Sequence, residues 1–197
     1  MSKNPVKSRL PRYWKKIFCE VLTRADDLGR VVIPKEIRRT LRVREGEPLE
    51  IFTDREGQII LKKYSPIGEL GDFAKQYAEV LAQVSGITVG ITDKDLFIAA
   101  SGPRRREIQD KEISKELEQR IHGRLSVSAK KQERDYVPLT QDREEKSFAW
   151  EFIAPIISEG DAIGAVVFLG AEERMPEESD KKLAAAAAGF LGKQMEG

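Results

Sequence analysis

Within residues 24–39 stand four arginines, Arg24, Arg30, Arg38 and Arg39. Each guanidinium is a planar fork that can hold a phosphate or a guanine edge through two parallel hydrogen bonds. The chemistry within their reach is therefore the neutralisation of a row of anions, not the making or breaking of bonds. The residues between them supply a mount. Asp27-Leu28-Gly29 reads as a turn, with Gly29 free to take positive φ. Val31-Val32-Ile33 is too short and too β-branched to favour a helix and is predicted to be a strand. Pro34 cannot donate into a ladder and ends that strand, and its fixed φ suits the start of a short helix predicted over residues 35–41. Ile37 and Leu41, four apart, form the expected buried face of this helix, which turns Arg38 and Arg39 outward.

Charge supports the same chemistry. The 197-residue chain has a net charge of only +1. Residues 1–65, however, hold 16 Lys+Arg against 9 Asp+Glu (+7), and residues 66–197 hold 18 against 24 (−6). Only the first part is built to meet a polyanion. The chain is 40% hydrophobic, enough for a core, and no apolar run approaches the ~18 residues of a membrane span. A soluble protein without membrane partners is expected.

Other chemistries find little footing. His122 and Cys19 are the sole histidine and cysteine and lie far apart in sequence, so neither a disulfide nor a zinc site built on them is expected. A lone cysteine fits a reducing cytoplasm. Cys19 reads as a small, partly buried hydrophobe and His122 as the exposed end of a helix. Asp93 with Asp95, and Glu144 with Glu145, fall in turn-like stretches, where aspartate is favoured on conformational grounds alone. Nothing resembles a nucleophile elbow, a phosphate-cradling loop or a metal signature. No enzyme activity, cofactor or metal is expected. Arg104-Arg105-Arg106 reads as an exposed loop in preference to a second anion-binding patch.

Three segments organise the chain. Residues 1–16 carry six basic residues, no acid and two prolines, and are predicted to be a mobile basic arm. An extension without function is the simpler account of it, and added phosphate binding the functional one. Residues 17–65 hold a first strand over 17–23, the arginine-bearing strand, turn and helix, and a hairpin over 48–63 turning at Asp54-Arg55-Glu56-Gly57. Four short strands and one helix in about 50 residues are marginal as a monomer, so dimerisation is expected. Tyr64-Ser65-Pro66 marks the boundary.

Residues 66–197 then read as α/β. An amphipathic helix is predicted over 67–84, closed by Gly86. Two strands follow at 87–92 and 96–100, then a charged helix over 109–122 with Ile113, Leu117 and Ile121 as its apolar edge. Short strands are expected near 125–127 and 136–139, longer ones over 148–157 and 162–169, and a final helix from Pro176 with acids in its first turn. Ala184 to Ala188 lie on that helix as core or as a packing surface for a twin helix, and both can hold.

The run from Asp26 to Leu41, with Pro48-Leu49-Glu50-Ile51-Phe52 and Ile60-Leu61-Lys62-Lys63-Tyr64, resembles the AbrB/SpoVT transition-state regulators. In that family two chains interleave hairpins into a swapped β-barrel that binds DNA. The resemblance implies the same dimer here, with the family's DNA-contacting arginines at Arg24, Arg30, Arg38 and Arg39. It continues through residues 64–78 and through Ala154-Pro155-Ile156-Ile157 and Gly160 to Val167, which are similar to two-domain members of the family. That implies an α+β protein: an N-terminal swapped-hairpin β-barrel, dimeric, followed by a C-terminal GAF-like α/β domain. The expected function is a sporulation transcription regulator on double-stranded DNA, activating and repressing. It would be a homodimer through residues 17–65 and a homotetramer through residues 66–197, with room for a small-molecule effector. An antitoxin-like interaction protein is the alternative, since the same barrel serves toxin-neutralising proteins. Glu20-Val21 replaces a Thr-Gly pair of close relatives and places an acid near the DNA-facing surface.

Overall fold

In a computed structural model of the chain, residues 27–142, 148–171 and 176–196 are described. The chain divides into two compact units, Met1–Tyr64 and Ser65–Gly197. The first strand expected over 17–23, the basic arm, Cys19 and Glu144-Glu145 lie outside the described residues.

In the first unit, Asp27 to Gly29 form a turn, with Gly29 at φ +73°. Helix α1 follows at Lys35–Thr40, with Pro34 as its N-cap, and hairpin strands β1 (Leu49–Thr53) and β2 (Ile59–Lys63) end the described part of the unit. Their register sets Leu49 opposite Lys63 and Thr53 opposite Ile59. Asp54 builds the turn between them: its Oδ1 accepts the N–H groups of Glu56 and Gln58, both at 2.9 Å. Two expectations need correction. Val31 makes a single bridge and Val32-Ile33 belong to no described strand. Leu41 is not the buried end of a helix face but is 41% exposed. No described residue of this unit is buried.

The second unit holds helices α2 (Pro66–Glu69) and α3 (Gly71–Ser85), strands β3 (Thr88–Thr92) and β4 (Phe97–Ser101), and helix α4 (Lys115–His122). Strands β5 (Val127–Lys130), β6 (Trp150–Ser158) and β7 (Asp161–Gly170) and helix α5 (Glu178–Gln194) follow. The strands form one antiparallel sheet in the order β4-β3-β7-β6-β5. Helices α3 and α5 cover one face, and α4 the other. Residues in β7 alternate as the pleat requires. Val166 and Phe168 join the core under α3 and α5. Ala165, Val167 and Leu169 join Leu117 and Ile121 of α4, with Phe97, Ile108 and Phe148. A sheet buried on both faces explains why β3 is buried at all five residues.

Four elements differ from the sequence reading, and the strand expected near 125–127 lies instead at Val127–Lys130. The single helix expected over 67–84 is broken at Leu70 (φ −85°, ψ 20°), flanked by the poor helix formers Gly68 and Gly71. The helix expected from 109 starts at Lys115. Leu96 bridges Glu112 and Ile113 bridges Thr140, which draws the preceding residues into β pairs. Ser114 then caps the helix, accepting the Leu117 N–H at 2.9 Å. No strand forms over 136–139, where a side chain takes the backbone donor: the Val137 N–H binds Glu151 Oε1 at 2.8 Å. The final helix begins as expected, closed by a reciprocal Glu177–Asp180 capping box.

Candidate nucleic-acid interface

Arg24 lies outside the described residues. Arg30 follows the left-handed Gly29 and is exposed. Arg38 and Arg39 share the last turn of α1, where cations complement the negative end of the helix dipole. They differ in setting. Arg39 is exposed, whereas Arg38 is half-buried, and its Nε is shielded from solvent with no hydrogen-bond partner. Of these two side chains, only Arg39 points outward as the sequence implies. A shielded guanidinium nitrogen costs free energy until an acceptor reaches it.

The short helix is held from its C-terminal side. The Arg42 and Val43 N–H groups bind the carbonyls of Arg39 (3.3 Å) and Arg38 (2.8 Å), with Arg42 in the left-handed region at φ +52°. Lys63 Nζ donates to the Arg42 carbonyl at 3.2 Å and pairs with Glu47 at 3.3 Å. Glu47 Oε2 in turn accepts the Arg44 N–H at 2.9 Å. Lys62, next in the strand, is 67% exposed and stands 3.8 Å from Glu50 across the hairpin. The sequence shows Lys62 and Lys63 as an undivided basic pair, and only the register separates them.

The second unit presents different chemistry. Ser65 caps α2, accepting the Gly68 N–H, and donates to Asp93 Oδ2 at 2.9 Å. Asp93 Oδ1 accepts the N–H groups of Asp95 (2.7 Å) and Leu96 (2.8 Å), so this aspartate builds a turn. Phe73, Tyr77 and Phe190 cluster with ring centroids 5.6–6.2 Å apart. Burial pushes the Tyr77 phenol above its ordinary value. Val80 and Val84 continue the same edge of α3 and are exposed, Val84 at the far end most of all. Arg104 is not part of a loose loop. Its guanidinium pairs with Glu107 at 2.6 and 2.8 Å and lies 4.3 Å from the Phe148 ring centroid, leaving Arg105 and Arg106 exposed. His122 is exposed at the end of α4, as expected. Among the described residues no group of three or more His, Cys, Asp or Glu could hold a metal ion, and no helix is long and apolar enough to cross a membrane.

The fold of the second unit is that of a GAF domain. The GAF domain of an Acinetobacter phosphoenolpyruvate-protein phosphotransferase superposes with a TM-score of 0.52 at 14% identity, covering 68% of this chain and 83% of that one. Residues 22–69 match the model of the bacterial antitoxin MazE, described as antidote-toxin recognition. A domain of that family joined to a GAF fold defines a two-unit architecture. Residues 69–196 match the model described as stage V sporulation protein T C-terminal, transcription factor. Stage V sporulation protein T of Bacillus subtilis (strain 168) is 49% identical over 176 residues, 89% of this chain and 97% of that protein. The chain therefore belongs to the stage V sporulation protein T family of transcription factors. Its amino-terminal part is also similar to the transition state regulatory protein AbrB of the same organism, 56% identical over 46 residues, covering 23% of this chain and 47% of that protein.

Proposed function

We propose that the first unit binds double-stranded DNA as an intertwined homodimer, with Arg24, Arg30, Arg38 and Arg39 of each chain against phosphates and base edges, and that the protein activates and represses sporulation genes. One observation carries the assembly: no described residue of the first unit is buried, and Leu28, Val31, Val32, Ile51, Phe52 and Ile59 are 47–70% exposed. A lone subunit with that surface has no core of its own among the described residues. A second copy that interleaves its hairpin would cover these side chains.

The second unit joins dimers into a tetramer through the α3 edge, where Phe73, Tyr77, Val80 and Val84 recur at the spacing of a helix-packing seam beside Phe190 of α5. It acts by binding and assembly, without catalysis, cofactor or metal, and the GAF fold leaves room for a small-molecule effector. Residues 1–16 form an arm ahead of the DNA-binding unit, residues 17–65, and residues 66–197 form the regulatory unit. The protein works in the cytoplasm on the nucleoid. An antitoxin role has the match of residues 22–69 in its favour. Toxin-wrapping calls for a disordered tail, and here the following residues form a folded α/β unit.

Mobility-shift titration against duplex DNA over a range of salt tests this reading. If each of the four arginines neutralises one phosphate in each chain of the dimer, affinity should fall roughly 10³ to 10⁵-fold between about 50 and 200 mM salt. Arg30→Gln should weaken binding and flatten that dependence. A salt-independent affinity, or an Arg30→Gln protein that binds as well as the parent, would remove the arginines from the interface.

A further inference from the structure

Of the two adjacent lysines at the end of β2, we infer that Lys63, with Glu47, is an internal brace that aims the α1 arginines, and not a phosphate ligand. The inference rests on the DNA-binding role proposed above. Helix α1 is six residues long, has no side-chain N-cap bond and buries no residue fully, so packing alone holds it weakly. Its arginine-bearing turn is held through the backbone. The carbonyls of Arg38 and Arg39 accept the N–H groups of Val43 and Arg42. This connector is gripped on both sides: Lys63 Nζ takes the Arg42 carbonyl and Glu47 takes the Arg44 N–H. The two gripping side chains are paired at 3.3 Å and are only 18–20% exposed.

A cation already shared between a carboxylate and a carbonyl has little to offer a phosphate, since binding one would strip both existing partners. The carboxylate of Glu47 is the telling member. Coulomb's law alone says that an acid in a DNA-binding unit opposes binding; a brace says that removing it harms binding.

The full-length protein with Glu47→Ala, the milder Glu47→Gln, Lys63→Gln and Lys63→Arg distinguishes the two. The probe is sheared genomic duplex DNA, titrated at several salt concentrations. Glu47→Ala and Lys63→Gln should each weaken binding about tenfold, the middle of the range for coupled neighbours, with Glu47→Gln intermediate. The dependence on salt should keep its slope, because every phosphate keeps its cation, and Lys63→Arg should restore affinity by keeping a charged donor. Glu47 variants that bind DNA as tightly as the parent or tighter would overturn the inference. So would a Lys63→Gln slope shallower by about 0.9 for each phosphate left without its cation. Hydrogen exchange without DNA gives an independent reading. The Arg42, Val43 and Arg44 amides should lose protection in Lys63→Gln, and unchanged protection would show that the brace does not hold the connector. Failure of the parent protein to bind any duplex would sink the DNA-binding reading while the exchange result still judges the brace.

Discussion

Gly189 and Gly192, one turn apart on α5, look interchangeable in sequence and are opposites in the structure. A Cβ at Gly192 would lie 2.0 Å from the Ile157 carbonyl oxygen of β6, whereas a Cβ at Gly189 would meet nothing within 4 Å. Alanine improves helix propensity by about 1 kcal/mol over glycine at either place. At Gly192 that gain is outweighed, because a backbone carbonyl cannot swing aside as a flexible side chain can, and forcing extra volume into a packed site costs roughly 1–3 kcal/mol. Denaturant unfolding should therefore show Gly192→Ala destabilised and Gly189→Ala stabilised by about 0.5–1 kcal/mol. Two variants of like sign would mean that α5 does not lie this close to β6. The chemical type of such residues is plain from the sequence, but their roles are not. Arg104 reads as one of three loop arginines, yet it is the one stacked on Phe148, and the Lys62–Lys63 pair divides only once the hairpin register is known. A role that depends on a partner distant in sequence leaves no local pattern to read.

At the level of elements, periodicity finds what periodicity can find. The long sheet strands and the last helix lie close to where the alternation and the acidic first turn put them, since burial on two faces or on one stripe leaves a repeating signature. The errors sit where long-range pairing overrides local pattern: residues 109–114 carry helical-looking charge, yet Glu112 and Ile113 bridge to Leu96 and Thr140. The five-turn helix expected over 67–84 is right in its apolar rhythm and wrong at Leu70, where two weak formers let the chain turn. The rhythm also overshoots the core. Ala74, Ala78, Leu81 and Ala82 are buried, while Val84 is 71% exposed at the end of the outer edge. A valine so little covered by its own chain gives a clean test. Val84→Glu should leave the unfolding midpoint of the second unit nearly unchanged, because surface substitutions rarely move stability by more than about 0.5 kcal/mol, yet shift the mass measured by light scattering from tetramer to dimer. An unchanged mass would dismiss the α3 edge as the seam between dimers.

On the scale of the molecule, the two units differ in what holds them. The second carries two cores on either side of its sheet, and the first has none among its described residues. The stability of a unit completed by a second copy depends on concentration by mass action, by about 1.4 kcal/mol for each tenfold change. Calorimetry on the full chain should then show the transition of the first unit climbing as protein concentration rises. A melt independent of concentration would argue for a subunit that stands alone. Much of this architecture is legible from charge and length: the excess of +7 in residues 1–65 is read by counting, and the shortage of core there follows from so few residues. The arginines themselves are found by type and spacing. The half-buried setting of Arg38 is not, because it depends on how α1 lies and not on which residues it contains.

Strand β2 ends at Lys63 and helix α2 starts at Pro66, and the two residues between are already committed. The Tyr64 N–H binds the Pro48 carbonyl and the Ser65 hydroxyl is bonded to Asp93. The joint is thus about 7 Å of chain at full stretch, fastened at each end by its own unit. A protease works on loose, exposed backbone, and although Tyr64 is exposed, both residues of this joint are held by hydrogen bonds. The place where the chain divides into two units is therefore a poor place to cut it, and an enzyme that nicks loops would open the polypeptide elsewhere first.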